Sequence, residues 1–160
     1  MKHFVALLLF SLLLVSTASA QRTLFFVRHA EKASTGGDDM DISESGRARA
    51  ESLTALFKDA GISAIFASDL KRTQQTAAPL AKALHLEPII TPVKEVATLI
   101  AKLQVSTGNV LVVGHSNTIP DVIKAFGITT PVNIAENDYD NLFVLLPEEK
   151  PTRLIRLHYR

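Results

Sequence analysis

Apolar positions in this chain fall into short continuous runs that alternate with longer stretches of helical spacing, the pattern of an α/β domain. Residues 24–27 form a continuous apolar run that stops at Arg28-His29 and predicts a buried strand. Residues 32–40 are polar, contain Gly36 and Gly37 and lack a period, so they predict a loop. The stretch Asp41-Ile42-Ser43-Glu44-Ser45-Gly46 predicts a helix start capped by Ser43 or Ser45. Leu53, Leu56, Phe57 and Ala60 then recur at helical spacing as one apolar face, which Gly61 ends. A second strand is predicted over 62–67 and a helix over 70–86. Ala77, Leu80, Ala81 and Leu84 share one stripe of that helix, with Pro79 inside it as a point of kinking or breakage. A short strand over 88–91 and a helical face at Val96, Leu99, Ile100 and Leu103 follow. Residues 110–113 are the clearest buried strand, and 119–126 predict a short helix beginning near Pro120. Residues 142–146 and 154–159 predict two late strands joined by 147–152. No repeat, low-complexity segment or linker divides residues 21–160, so they predict one domain.

The first twenty residues break the alternation. Lys2 and His3 precede an apolar run over 4–15, and Ser16-Thr17-Ala18-Ser19-Ala20 follows. That order is the layout of a secretory signal peptide with cleavage after Ala20; the alternative is an uncleaved membrane anchor. The pattern predicts a periplasmic or secreted domain over 21–160, without stable membrane association after cleavage. Loss of Lys2 takes the formal net charge from +1 to zero, which gives no electrostatic ground for binding nucleic acid or an anionic membrane. The chain has no cysteine, which excludes thiol catalysis, thiolate metal sites and disulfides.

In open α/β sheets, ligands bind outside the carboxyl ends of the strands, so the polar residues at those ends carry the chemistry. The first strand ends in Arg28-His29, the second is followed by Ser68-Asp69-Leu70-Lys71-Arg72-Thr73, and the strand over 110–113 ends in Gly114-His115-Ser116-Asn117. If these strands are neighbours, Arg28, Arg72, His29 and His115 converge. Guanidinium forks match phosphoryl oxygens bidentately, and fixed cations lower the barrier to phosphoryl transfer. Neutral His29 is a competent nucleophile, kept neutral by the nearby cations. His115, protonated, would donate a hydrogen bond to the phosphoryl group. The scheme needs no metal and no other cofactor. His85, at a helix end, and His158, on the last strand, are read as structural.

These residues resemble the histidine phosphatase (phosphoglycerate mutase-like) superfamily. Arg28-His29-Ala30-Glu31 is similar to its opening Arg-His-Gly motif, Ser68–Thr76 to its arginine-bearing second motif, and Gly114-His115-Ser116-Asn117-Thr118 to its third. Ile42-Ser43-Glu44-Ser45-Gly46 resembles the helix start after the first motif. The resemblance implies a three-layer α/β fold with a mostly parallel central sheet flanked by helices. It implies that His29 is phosphorylated and that Arg28, Arg72 and His115 complete a phosphate pocket, with Ser116 N–H and the Asn117 side chain adding phosphate contacts. Ala30 departs from the family's Gly and is expected to narrow the space beside the nucleophile. Asp69 replaces a usual Pro and is expected to alter only its loop.

The segment that supplies a carboxyl proton donor in many members is short here and offers Glu87 and Glu95. Glu95 is favoured by position, with Glu31 and Asp121 as further candidates. No long insertion is present to form a lid, so the chain is similar to the compact phosphohistidine phosphatases. The expected activity is hydrolysis of a small phosphorylated substrate, a phosphomonoester or phosphoramidate, outside the cytoplasm. A non-catalytic phosphate- or phosphosugar-binding module and a phosphoryl transferase are the alternatives.

Overall fold

Strands covered on both faces have no polar side to show, and the continuous apolar runs follow from this placement. The computed structural model describes residues 22–35 and 37–160; the predicted signal peptide lies outside them. In chain order the elements are β1 (Leu24–Arg28), α1 (Glu44–Phe57), β2 (Ile62–Ser68), α2 (Lys71–Leu84), β3 (Ile89–Thr91), α3 (Val96–Val105), β4 (Asn109–Gly114), α4 (Thr118–Ala125), β5 (Asn141–Leu146) and β6 (Arg153–His158). The sheet order is β3-β2-β4-β1-β5-β6. β3, β2, β4 and β1 run parallel, whereas β5 runs antiparallel to β1, and β6 to β5.

Successive side chains on each strand point to opposite faces and fill two cores. Val27, Ile65, Ala67, Leu111, Val113 and Leu142 pack with Leu53 and Phe57 of α1 and with Ala77, Leu80 and Ala81 of α2. Leu24, Phe26, Phe66, Val110, Val112, Phe143 and Leu145 pack with Leu103 of α3 and with Ile119, Val122 and Ile123 of α4. This is the expected three-layer α/β architecture. The connection from β1 carries α1 to one face and that from β4 carries α4 to the other, so a crevice opens between these adjacent strands.

Ser43 caps α1, its side chain accepting from Gly46 N–H. The apolar face of that helix is centred on Gly46, Ala50, Leu53 and Phe57. Leu56 is 47% exposed, because it lies about 80–100° around the helix from that line. α2 runs without interruption through Pro79, whose missing N–H and ring are accommodated there without ending the helix. Among the described residues no helix is long and apolar enough to cross a membrane.

Candidate active site

β2, β4 and β1 are adjacent and parallel, so their carboxyl ends bring Arg28-His29, Ser68 and Gly114-His115 to one edge of the sheet. Arg28 stands opposite Gly114 in the ladder, and His29 N–H donates to the Gly114 carbonyl at 2.9 Å. The imidazoles of His29 and His115 then face each other with ring centroids 5.3 Å apart. Both rings are buried.

The tautomer of His29 is fixed by its neighbour. Its Nδ1 lies 2.8 Å from the Ala30 carbonyl, which only accepts, so Nδ1 carries the proton and Nε2 bears the lone pair. Burial lowers the His29 pKa to about 4; the Ala30 bond opposes this, while the charges of Arg28, Arg72 and Lys32 reinforce it. His29 is therefore neutral and nucleophilic at physiological pH. Ala30 N–H in turn donates to Thr76 Oγ1 at 2.9 Å. The Ala30 methyl packs with Ile42 and Ala50, so it turns into the α1 core and does not narrow the site as expected.

Arg28 is buried, and it is not a free fork. Its Nη1 donates to the carbonyls of Ala135 at 2.8 Å and Glu136 at 2.6 Å, and its Nη2 lies 3.5 Å from the Glu136 carboxylate. The Tyr139 ring covers the guanidinium at 4.4 Å and lies 6.0 Å from the His29 ring. The strap over 135–139 was not legible in the sequence. It reaches the site because antiparallel β5 begins where β1 ends, with Leu142 opposite Val27. Nε of Arg28 is buried without a partner, and so is Nε of Arg72. Buried donors of this kind mark a place for an acceptor.

The second motif ties the start of α2 to the ends of β1 and β2 and to the loop before α1. Gln75 accepts from Ile42 N–H and donates to Asp41, Thr76 holds Ala30, and Thr73 bonds Ser68 at 2.8 Å. The Asp69 carboxylate accepts from Val93 N–H at 2.8 Å, fastening the loop after β2 to the loop after β3. Ser68 Oγ lies 2.9 Å from His115 Nε2. Burial, then the proximity of His29, Arg72 and Arg28, lowers the His115 pKa to about 3, with Asp69 opposing. This corrects the expectation of a protonated His115: the ring is neutral. Ser116 is half-buried and Asn117 exposed beside it at the start of α4.

The candidate acids separate. Glu31 is gripped by Arg49 through bonds of 2.6 and 2.9 Å. Burial alone would raise its pKa, but the Arg49 hydrogen bonds, a main-chain hydrogen bond and the neighbouring charges together outweigh burial and hold the carboxyl below its usual range, so Glu31 is a poor proton donor. Asp121 lines a cavity with Pro120, Lys124 and Ile128, apart from the histidines. Glu95 is exposed and lines a small cavity of about 20 Å³ with Ser68, Thr91 and His115. Among the described residues no group of His, Asp and Glu side chains is gathered to hold a metal ion.

Fold and strand-end cluster together define an α/β protein of the phosphoglycerate mutase-like class. A family model, "Histidine phosphatase superfamily (branch 1)", matches residues 24–97. Over that stretch the chain is similar to the histidine phosphatase superfamily, and this similarity supports a phosphatase. The match spans the first and second motifs and stops short of His115, which the fold brings to them. No curated protein sequence matches. Among solved structures, the protein histidine phosphatase SixA complexed with tungstate is similar at 18% identity and a TM-score of 0.69, over 85% of this chain and 96% of that one. A SixA-type protein from Agrobacterium tumefaciens gives 23% and 0.63, over 84% and 97%. The mycobacterial glucosyl-3-phosphoglycerate phosphatase Rv2419c with inorganic phosphate gives 17% and 0.65, over 85% and 95%. At these identities the likeness is one of fold.

Proposed function

We propose that the protein hydrolyses a phosphomonoester or phosphoramidate through a phosphohistidine on His29, outside the cytoplasm. The observation that carries this is an unprotonated Nε2 on the buried His29 ring, together with the unpartnered Nε–H groups of Arg28 and Arg72. In this reading the phosphoryl oxygens take up the free guanidinium donors, His29 Nε2 attacks phosphorus, and the bond to the leaving group breaks. Water then attacks the phosphohistidine, releasing phosphate and restoring His29. Ser116 N–H and Asn117 add contacts to the phosphoryl group from the start of α4. With Glu31 committed to Arg49, Glu95 is the carboxyl best placed to protonate a poor leaving group. A phosphoramidate or aryl phosphate departs without one, which fits a similarity to proteins named as phosphohistidine phosphatases. The extracytoplasmic setting rests on the pattern of residues 1–20.

The test is hydrolysis of an aryl phosphate in the presence of a chelator, with trapping of the phosphoenzyme. An acid-labile, alkali-stable phosphoprotein that disappears in His29→Ala is the expected result. Unchanged turnover in His29→Ala would sink the reading.

A further inference from the structure

Behind His115 lies a chain of hydroxyl groups that the attack on phosphorus does not use. Ser68 Oγ is 2.9 Å from His115 Nε2 and 2.8 Å from Thr73 Oγ1. Thr73 Oγ1 is itself 2.8 Å from the Leu70 carbonyl and 3.1 Å from the Ser68 carbonyl. All of these side chains are buried, so each hydroxyl proton must be assigned within the chain.

Main-chain carbonyls only accept, so the single hydroxyl proton of Thr73 goes to a carbonyl. Thr73 Oγ1 then receives the Ser68 proton. Ser68 has no second proton to give, and at 2.9 Å from the ring it accepts from His115 Nε2. Asp69 does not compete, because its carboxylate is held by Val93 N–H, and no hydrogen bond joins Glu95 to the ring. We propose that Ser68 and Thr73 are positioning residues that set the tautomer of His115, holding its proton on Nε2 and leaving the lone pair on Nδ1, the nitrogen that must take up a second proton before the ring can donate to a phosphoryl oxygen. The two histidines would thus be locked in opposite tautomers, His29 by a carbonyl at Nδ1 and His115 by a hydroxyl at Nε2. The catalytic consequence rests on the hydrolytic reading above; the tautomer does not.

The experiment is long-range proton–nitrogen NMR on the full chain labelled in its histidine rings, at about pH 7.5 where both rings are neutral. His115→Asn assigns the signals. Wild type should show His115 with Nε2 protonated. Thr73→Val removes the acceptor of the Ser68 proton, frees that proton to turn toward the ring, and should shift His115 to the Nδ1–H form. Ser68→Ala should give mixed tautomers and lower kcat/KM on an aryl phosphate on the order of 100-fold, with Ser68→Thr restoring both. A wild-type His115 protonated at Nδ1 overturns the proposal even if Ser68→Ala does not fold. So does a folded Ser68→Ala that keeps the Nε2–H form and full kcat/KM. The predicted tautomers in a wild type that turns over no phosphate ester would overturn hydrolysis and uphold the hydroxyl chain.

Discussion

Mild acid should destabilise this fold through its two central imidazoles. His29 and His115 have folded pKa values of about 4 and about 3, against an ordinary 6.5. Above 6.5 both are neutral whether folded or unfolded and add no pH dependence. Below it the unfolded chain takes up protons that the native site refuses, so stability falls as pH falls toward the folded values. Integrating over that window gives a loss of about 2 kcal/mol per histidine at about pH 5 and about 3 at about pH 4. The pair together therefore removes about 4 kcal/mol at about pH 5, a large part of an ordinary stability of roughly 5–15 kcal/mol. The Glu31 carboxyl, whose unfolded value is 4.5, begins to lose its contribution only under more acidic conditions. Urea unfolding followed by circular dichroism at about pH 7.5, 6 and 5 measures the effect. The double variant His29→Asn, His115→Asn should lose less than about 1 kcal/mol over the same range. A wild-type loss that small, or an equal loss in the double variant, would refute the claim that the native site holds both rings neutral.

Other substitutions probe the supports of the site. A Cβ at Gly46 would stand 2.5 Å from the Glu31 carbonyl and 3.0 Å from Ile42 Cβ. Gly46→Ala should therefore cost about 2 kcal/mol in urea unfolding, despite the better helix propensity of Ala. Glu31→Gln strips Arg49 of its carboxylate and should lower stability by about 2 kcal/mol; the pH–rate profile on an aryl phosphate should keep its shape, since Arg49 already engages the Glu31 carboxylate. Tyr139→Leu removes the ring over Arg28 and should weaken inhibition by inorganic phosphate about fivefold, equivalent to about 1 kcal/mol. Tyr139→Phe should leave that inhibition within about twofold.

Parts of this architecture are written locally and parts are not. β1 and β4 are legible because burial on both faces leaves uninterrupted apolar runs, and Arg28, His29 and His115 stand out against those runs. The direction of β5 is not legible, since residues 142–146 look the same whether the strand runs up or down. The strap that depends on that direction is hidden with it, and Glu136 meets Arg28 across 108 positions of sequence. Leu56 and Leu53 share a helical spacing, yet only contact with α2 decides which faces inward. The charge of His115 is likewise a matter of burial, which the residues around it in sequence do not record. Conversely, the residues of the second motif other than Arg72 gain their meaning only from the bonds Thr73, Gln75 and Thr76 make to other loops.

The pairing of Arg28 with Gly114 has a consequence for how this site can change over time. His29 and His115 directly follow the two partners of one rung, Arg28 and Gly114, so their ring separation of 5.3 Å is close to the 4.7–4.9 Å pitch between strands. The ruler for that distance is the peptide backbone, which no side-chain substitution rewrites. Cores on either face can be repacked, and helices can drift, without retuning the gap between the histidines. Variation is thereby channelled to the loops, where the strap over 135–139 and the carboxyl-bearing segment at Glu95 are free to be exchanged around a spacing that stays constant.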